Sequence, residues 1–241
     1  MMRARNLGLA ILICALSGPA TAAAKRDLAA EARTVAYDFA ECTIKRNSKL
    51  AERIILDQLR NSEVMDRYRI LITGDCVPLQ GWGALEVRFP EPHLQYALAT
   101  VMVRSDPTLT VTDPSSIAPL KHRGIDEAKY LPRPGKRVSE KRAAELKEVR
   151  DEAVGRVALS LVGECVVRAD PTQSAALVRS EIASPAERGA FSALVPSLQG
   201  CLPAGKQISF SREVLRGIVA MNFYRLAKAP RLPAQVAGAP K

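Results

Sequence analysis

Apolar positions recur along most of this chain at steps of three and four, the spacing of one helix face. Over residues 26–46, Leu28, Ala32, Val35, Ala36, Phe39, Cys42 and Thr43 share such a stripe, and Asn47-Ser48 interrupts it. Ser48 is placed to cap a short second helix carrying Leu50, Ile54, Ile55 and Leu59. Ser62 is placed to cap a third, with Met65, Tyr68, Ile70 and Leu71 as its apolar residues, and Gly74 ends it just ahead of Cys76. Leu85–Phe89 alternates apolar and polar like a short strand. Pro90 and Pro92 suit the first turn of a fourth helix, which carries Leu94, Ala97, Leu98, Val101 and Met102 to about Arg104.

The pattern then lapses. Residues 105–137 hold five prolines and no sustained apolar period, and read as an extended or mobile basic linker. Ser139 opens a long helix, in which Ala143, Leu146, Val149, Ala153, Val154, Val157, Leu161, Val162 and Cys165 keep the helical period over roughly 40 Å. Asp170-Pro171 closes it and starts another helix. Ser184-Pro185-Ala186-Glu187 is a capping box for the next, which runs to Gly200-Cys201. Gln207–Phe210 reads as a second short extended piece. Ser211 caps the last helix, through Val214, Leu215, Ile218, Val219, Met221 and Phe223 to about Lys228, and 229–241 is expected to fray.

The two halves of this pattern match. Glu41-Cys42 answers to Glu164-Cys165, and Gly74-Asp75-Cys76-Val77-Pro78 answers to Gly200-Cys201-Leu202-Pro203. Phe89, Leu94 and Arg104 recur 121 positions later as Phe210, Leu215 and Arg225. The expected organisation is a copy at 25–104, a linker at 105–137, a second copy at 138–228 and a disordered tail at 229–241. Each copy is helix, short helix, helix ending at cysteine, short extended piece, helix. At 70 to 80 residues each has a thin core by itself, which favours packing of the two as one pseudo-symmetric, mainly α-helical bundle.

The first 24 residues stand outside this pattern. Arg3 and Arg5 precede the apolar run Leu7–Leu16, Ser17-Gly18-Pro19 breaks it, and small residues follow at Ala20–Ala24. That is the layout of a cleaved signal peptide at 1–24, so the mature chain is expected in the periplasm or secreted. Cys14 leaves with it. The four remaining cysteines then read as two disulfides, and the repeat selects Cys42–Cys76 and Cys165–Cys201 among three pairings. Each closed loop would stabilise by roughly 3–4 kcal/mol in the chain-entropy model. A zinc site would want closely spaced cysteine pairs, and the sequence has none.

The formal charge is +10, and residues 153–241 carry 11 basic against 5 acidic side chains. Lys206, Arg212, Arg216, Arg225, Lys228 and Arg231 are the candidate basic surface of the second copy, Arg212 and Arg216 sharing a helix face. Such a surface suits an anionic envelope surface or an acidic envelope protein as partner. Nucleic acid is not expected, because export removes the chain from it and no aromatic residues interleave the basic ones. Trp82, between Gly81 and Gly83, is a second candidate contact.

Catalytic motifs are missing from the sequence: no G-x-S-x-G, S-x-x-K, H-E-x-x-H or P-loop. The two histidines, His93 and His122, are read as surface side chains, and no metal or cofactor is expected. The glutamates before each first cysteine are the carboxylates an enzyme in a cleft between the copies would use. The alternative makes them structural, Glu41 pairing with Arg104 and Glu164 with Arg225. The Glu-Cys, glycine-preceded Cys-x-Pro and Phe-x₄-Leu elements, together with the export signal, resemble uncharacterised exported bacterial proteins, a resemblance that implies no activity. A non-catalytic binding or scaffolding role in the cell envelope is therefore the leading expectation.

Overall fold

A computed structural model describes residues 28–67, 76, 92–132, 138–202 and 211–230. The described chain is helical: α1 (Leu28–Arg46), α2 (Ser48–Leu56), α3 (Asn61–Arg67), α4 (His93–Ser105), α5 (Glu140–Ala169), α6 (Pro171–Arg179), α7 (Pro185–Cys201) and α8 (Arg212–Lys228). Short 3-10 turns lie at Pro114–Ser116 and Glu127–Tyr130, and no strand forms among the described residues. The segments expected to be extended, 85–89 and 207–210, lie outside the described residues, as does Trp82.

Side-chain caps set most helix starts. Ser139, Asp170, Ser184 and Ser211 each accept a hydrogen bond from the backbone N–H three residues on, which satisfies a donor the helix leaves unpaired. At α2 the cap is Asn47 rather than Ser48, its Oδ1 accepting from Leu50 N at 3.1 Å. At α3 the Glu63 carboxylate reaches back to Arg60 N at 2.8 Å, and Ser62 already lies within the helix. Val64 is buried there, whereas Met65, expected inside, is exposed.

Two disulfides staple the fold. Cys42 on α1 joins Cys76, with Cα atoms 5.5 Å apart, and Cys165 on α5 joins Cys201 at the end of α7, 5.7 Å apart. In each half the first helix is thus tied to the chain at or beyond the third.

Helices α4 and α8 pack against each other at the centre. Helices α1 and α2 cover α4, α5 and α6 cover α8, and crosswise α6 also meets α4 and α2 also meets α8. Exchanging α1 with α5, α2 with α6 and α4 with α8 leaves this set of neighbours unchanged. Every residue of α8 from Leu215 to Leu226 is buried. Its large apolar side chains, among them Ile218, Phe223 and Leu226, each contribute about 1.5–3 kcal/mol by leaving water.

Glycines allow the close approaches. A Cβ on Gly217 would lie 2.3 Å from the Tyr96 ring on α4. One on Gly163 of α5 would meet Asn222 Nδ2 at 2.6 Å and the Ile218 carbonyl oxygen at 2.9 Å on α8.

The segment after α4 is not a loose linker. Over 105–132, Leu109, Val111 and Ile117 are buried in the common core. Arg179 donates to the carbonyl of Leu109 at 2.8 Å, and Arg168 to those of Ile117 at 3.0 Å and Ala118 at 2.8 Å. Guanidiniums supply the donors that an irregular backbone lacks when it lies against a protein surface. Helix α5 departs from expectation in the opposite sense. Its stripe is only partly covered: Ala153 and Val162 are buried, but Val149, Val154 and Leu161 are exposed. No described residue of Glu140–Glu152 is buried.

Candidate functional site

Because α8 is enclosed on all sides, its polar side chains need internal partners. Arg216 is fully buried, not part of a basic surface. Its guanidinium donates to Glu187 Oε1 at 2.7 Å, to the carbonyls of Val178 at 2.9 Å and Ser180 at 2.6 Å, and to Ser180 Oγ at 3.3 Å. The Tyr37 ring lies 5.8 Å from its guanidinium carbon. Glu187, also buried, comes from the expected capping box, with Ser184 Oγ accepting its N–H. Its carboxylate turns inward instead of back to Ser184. It accepts from Ala183 N at 2.7 Å, from Arg33 at 3.1 Å and from Arg216. Ala183 itself sits at φ 58°, a left-handed conformation held by that bond. One carboxylate thereby ties α1, the α6–α7 turn, α7 and α8 together.

A second buried cluster anchors the segment after α4. His122 lies between two residues one turn apart on α5, with Nδ1 2.8 Å from Ser160 Oγ and Nε2 2.5 Å from Glu164 Oε2. The other Glu164 oxygen accepts from Leu120 N at 3.0 Å and Arg168 Nε at 2.7 Å. Burial alone would raise the Glu164 carboxyl, but Leu120 N–H, His122 and Arg168 together hold it below the ordinary carboxylate value. His122 is therefore an interior residue, not a surface one. Arg225 is buried as well and donates to the carbonyl of Lys121 at 2.6 Å. Burial lowers its pKa, opposed by the charge of Glu164, so the pair expected from the repeat is a through-space influence rather than a contact.

The first-half counterparts sit differently. Glu41 is exposed and pairs with Lys45 at 2.8 Å, which lowers its pKa, with Arg104 adding a smaller pull. The expected Glu41–Arg104 contact is not formed among the described residues, because Lys45 one helical turn away is the nearer cation. Glu41 and Glu164 thus belong to separate clusters, and both are already engaged. Arg212 is exposed at the start of α8, while Lys228 pairs with Glu52 at 3.5 Å and lies over the Tyr224 ring. Lys206 and Arg231 lie outside the described residues. With Arg216 and Arg225 inside, the described residues do not assemble the expected basic face of the second copy. His93, partly exposed, lies 3.9 Å from Glu213.

What Glu41 and Arg104 do share is an open groove of about 610 Å³. It runs between α1, the end of α4 and the α6–α7 turn, on the seam between the two halves. Tyr37, Ile44, Val101 and Ile182 supply apolar surface. Asp38, Glu41 and Lys45 of α1, Arg104 of α4 and Glu181 of the α6–α7 turn add charges of both signs to its lining. Burial raises the Tyr37 phenol, the charge of Arg216 opposing. Tyr37 therefore joins the groove to the buried Arg216–Glu187 cluster behind it. Neither Tyr37 nor Ile182 carries a motif. Both become visible only when the halves are placed together.

Among the described residues no group of three or more His, Cys, Asp or Glu is arranged to hold a metal ion, and no helix is long and apolar enough to cross a membrane. Comparison of the chain with protein-family models, curated proteins and solved structures finds no match.

Proposed function

We propose that this chain is an exported, non-catalytic binding protein of the bacterial cell envelope, and that it takes its ligand in the groove lined by Tyr37, Val101, Arg104 and Ile182. The observation that carries this is the groove itself. Its 610 Å³ is the scale of small-ligand sites, and its lining combines apolar surface with a few convergent charges. The basic and apolar N-terminal segment and the two disulfides support export.

Charges of both signs around an apolar floor suit a zwitterionic, partly apolar ligand such as a short free peptide. The reading of an enzyme working through Glu41 and Glu164 has less support, since the two are engaged in different clusters. A basic surface on the second half has less too, since Arg216 and Arg225 are interior.

Titration of the isotopically labelled oxidised protein with pooled free tripeptides, followed by amide chemical shifts, tests the proposal. Saturable shifts at Tyr37, Val101 and Ile182, lost in Arg104→Glu, are expected. Shifts absent from these three amides at millimolar peptide would overturn it.

A further inference from the structure

A second concavity lies away from that groove. It is lined by Arg60 from the α2–α3 turn, Arg123 from the segment after α4, and Arg156 from α5, with Gln95, Tyr96 and Ser160 behind them. The cavity measures about 80 Å³, room for a group of a few heavy atoms, and is partly open to solvent. Three guanidiniums on three separate elements converge here, against two carboxylates. Glu63 neutralises Arg123 through a two-pronged pair, one arm at 2.7 Å. The exposed Glu152 lies 3.8 Å from Arg156. The Arg60 guanidinium makes no hydrogen bond or close ion pair with another described residue and acts on Glu63 only through space, so three guanidiniums stand against two carboxylates.

An independent observation concerns Gln95, which is 3% exposed. Its Nε2 donates to the carbonyl of Leu59, while its buried Oε1 accepts from no described protein donor. A buried acceptor left without a donor costs about 1–3 kcal/mol; here it belongs to a residue of the cavity wall, and the P–OH of a hydrogen phosphate is a donor that satisfies it where a bare oxyanion is not.

We infer that this cavity is an oxyanion site for a phosphate group, either free inorganic phosphate or the terminal group of a phosphomonoester. A carboxylate offers two coplanar oxygens to one guanidinium fork, whereas a tetrahedral group offers oxygens to donors arriving from several directions. Arg60 and Arg156 are the cations that would hold it, since Arg123 is committed to Glu63 and Arg156 meets only the exposed Glu152, at 3.8 Å. The cavity size admits the phosphate itself and leaves an ester substituent in solvent.

The test is calorimetric titration of the full oxidised chain with inorganic phosphate and, separately, glycerol phosphate, at constant ionic strength. Saturable binding with Kd below about 1 mM is expected for at least one of them. Binding of only one identifies the source. Arg60→Gln and Arg156→Gln are each expected to weaken it by about tenfold or more, the loss of one charge-assisted donor. Both side chains are partly exposed, so the unfolding midpoint without phosphate should hold, which separates lost binding from lost folding. No saturable heat with either probe at about 10 mM, or unchanged affinity in both variants, would overturn the inference. Neither outcome touches the peptide groove, which shares no residue with this cavity.

Discussion

Glu187 is where the fold is most exposed to a single substitution. Its carboxylate is 3% exposed and is the only carboxylate among the described residues bonded to Arg216, which is 0% exposed. Glu187→Ala leaves that guanidinium in the core with only neutral acceptors, a break that costs about 3–5 kcal/mol. It also strips the acceptor from Ala183 N, whose left-handed turn depends on it, adding about 1 kcal/mol or more. Set against a domain stability of about 5–15 kcal/mol, the expected loss takes about a quarter of the total or more. The assay is urea unfolding at neutral pH with both disulfides intact, followed by circular dichroism. Glu187→Gln keeps the acceptor but removes the charge and should fall between the two. Replacing both partners with apolar residues, Glu187→Leu with Arg216→Met, should recover much of the loss, because no buried charge is then stranded except partly exposed Arg33. A Glu187→Ala protein within about 1 kcal/mol of the parent would refute the reasoning. It would mean that water or a shifted backbone satisfies Arg216.

Other outcomes follow from the same structure. Gly217→Ala should destabilise by about 1–3 kcal/mol, since its new methyl meets the Tyr96 ring at 2.3 Å; an unchanged urea midpoint would show that α4 and α8 can part freely. Replacing Cys165 and Cys201 by serine should cost about 2–5 kcal/mol, read as a lower melting midpoint that reducing agent does not lower by the same step again. Arg123 and the Arg60 N–H, against a smaller upward push from burial, hold the Glu63 carboxyl down at about 2. Its unfolded value is about 4.3, so the unfolded chain takes up the proton first as pH falls. The contribution is whole above about pH 4.3 and gone near pH 2. It is worth about 1–2 kcal/mol for so part-exposed a pair, and Glu63→Gln should flatten that part of the stability profile. His122→Ala should release the segment around Leu120, seen as faster protease cleavage between α4 and α5 and faster amide exchange there, with α6 and α7 unaffected.

The helix layout of the second half was legible because its starts carry strong local chemistry. Ser139, Asp170, Ser184 and Ser211 cap the helices they were expected to cap. The cysteine pairing was legible from the repeat. The interior charges were not, and the reason differs from residue to residue. Arg212 and Arg216, four apart, look alike as helix-surface residues, and only one is. A signal was available: from Leu215 to Leu226 the apolar residues surround the helix instead of forming a stripe, the mark of an enclosed helix whose polar residues need partners. His122 offered nothing comparable. Its partners lie 38 and 42 residues away on one turn of α5, and only the folded chain brings them to it. The segment 105–132 misled for a related reason. Its buried Leu109, Val111 and Ile117 follow no regular period, and its carbonyls are satisfied by arginines from other elements.

The central helix is also the last of the described helices to be made. Helix α8 covers the face of α4, yet it begins at Arg212, more than a hundred residues after α4 ends. During synthesis, the first half must therefore wait with its apolar side uncovered. The Cys42–Cys76 bond can form during that wait, because both its cysteines precede α4. What it cannot do is complete the core. Assembly of this molecule is consequently a late, concerted event governed by the arrival of α8, with the slow kinetics that contacts between distant stretches of chain impose.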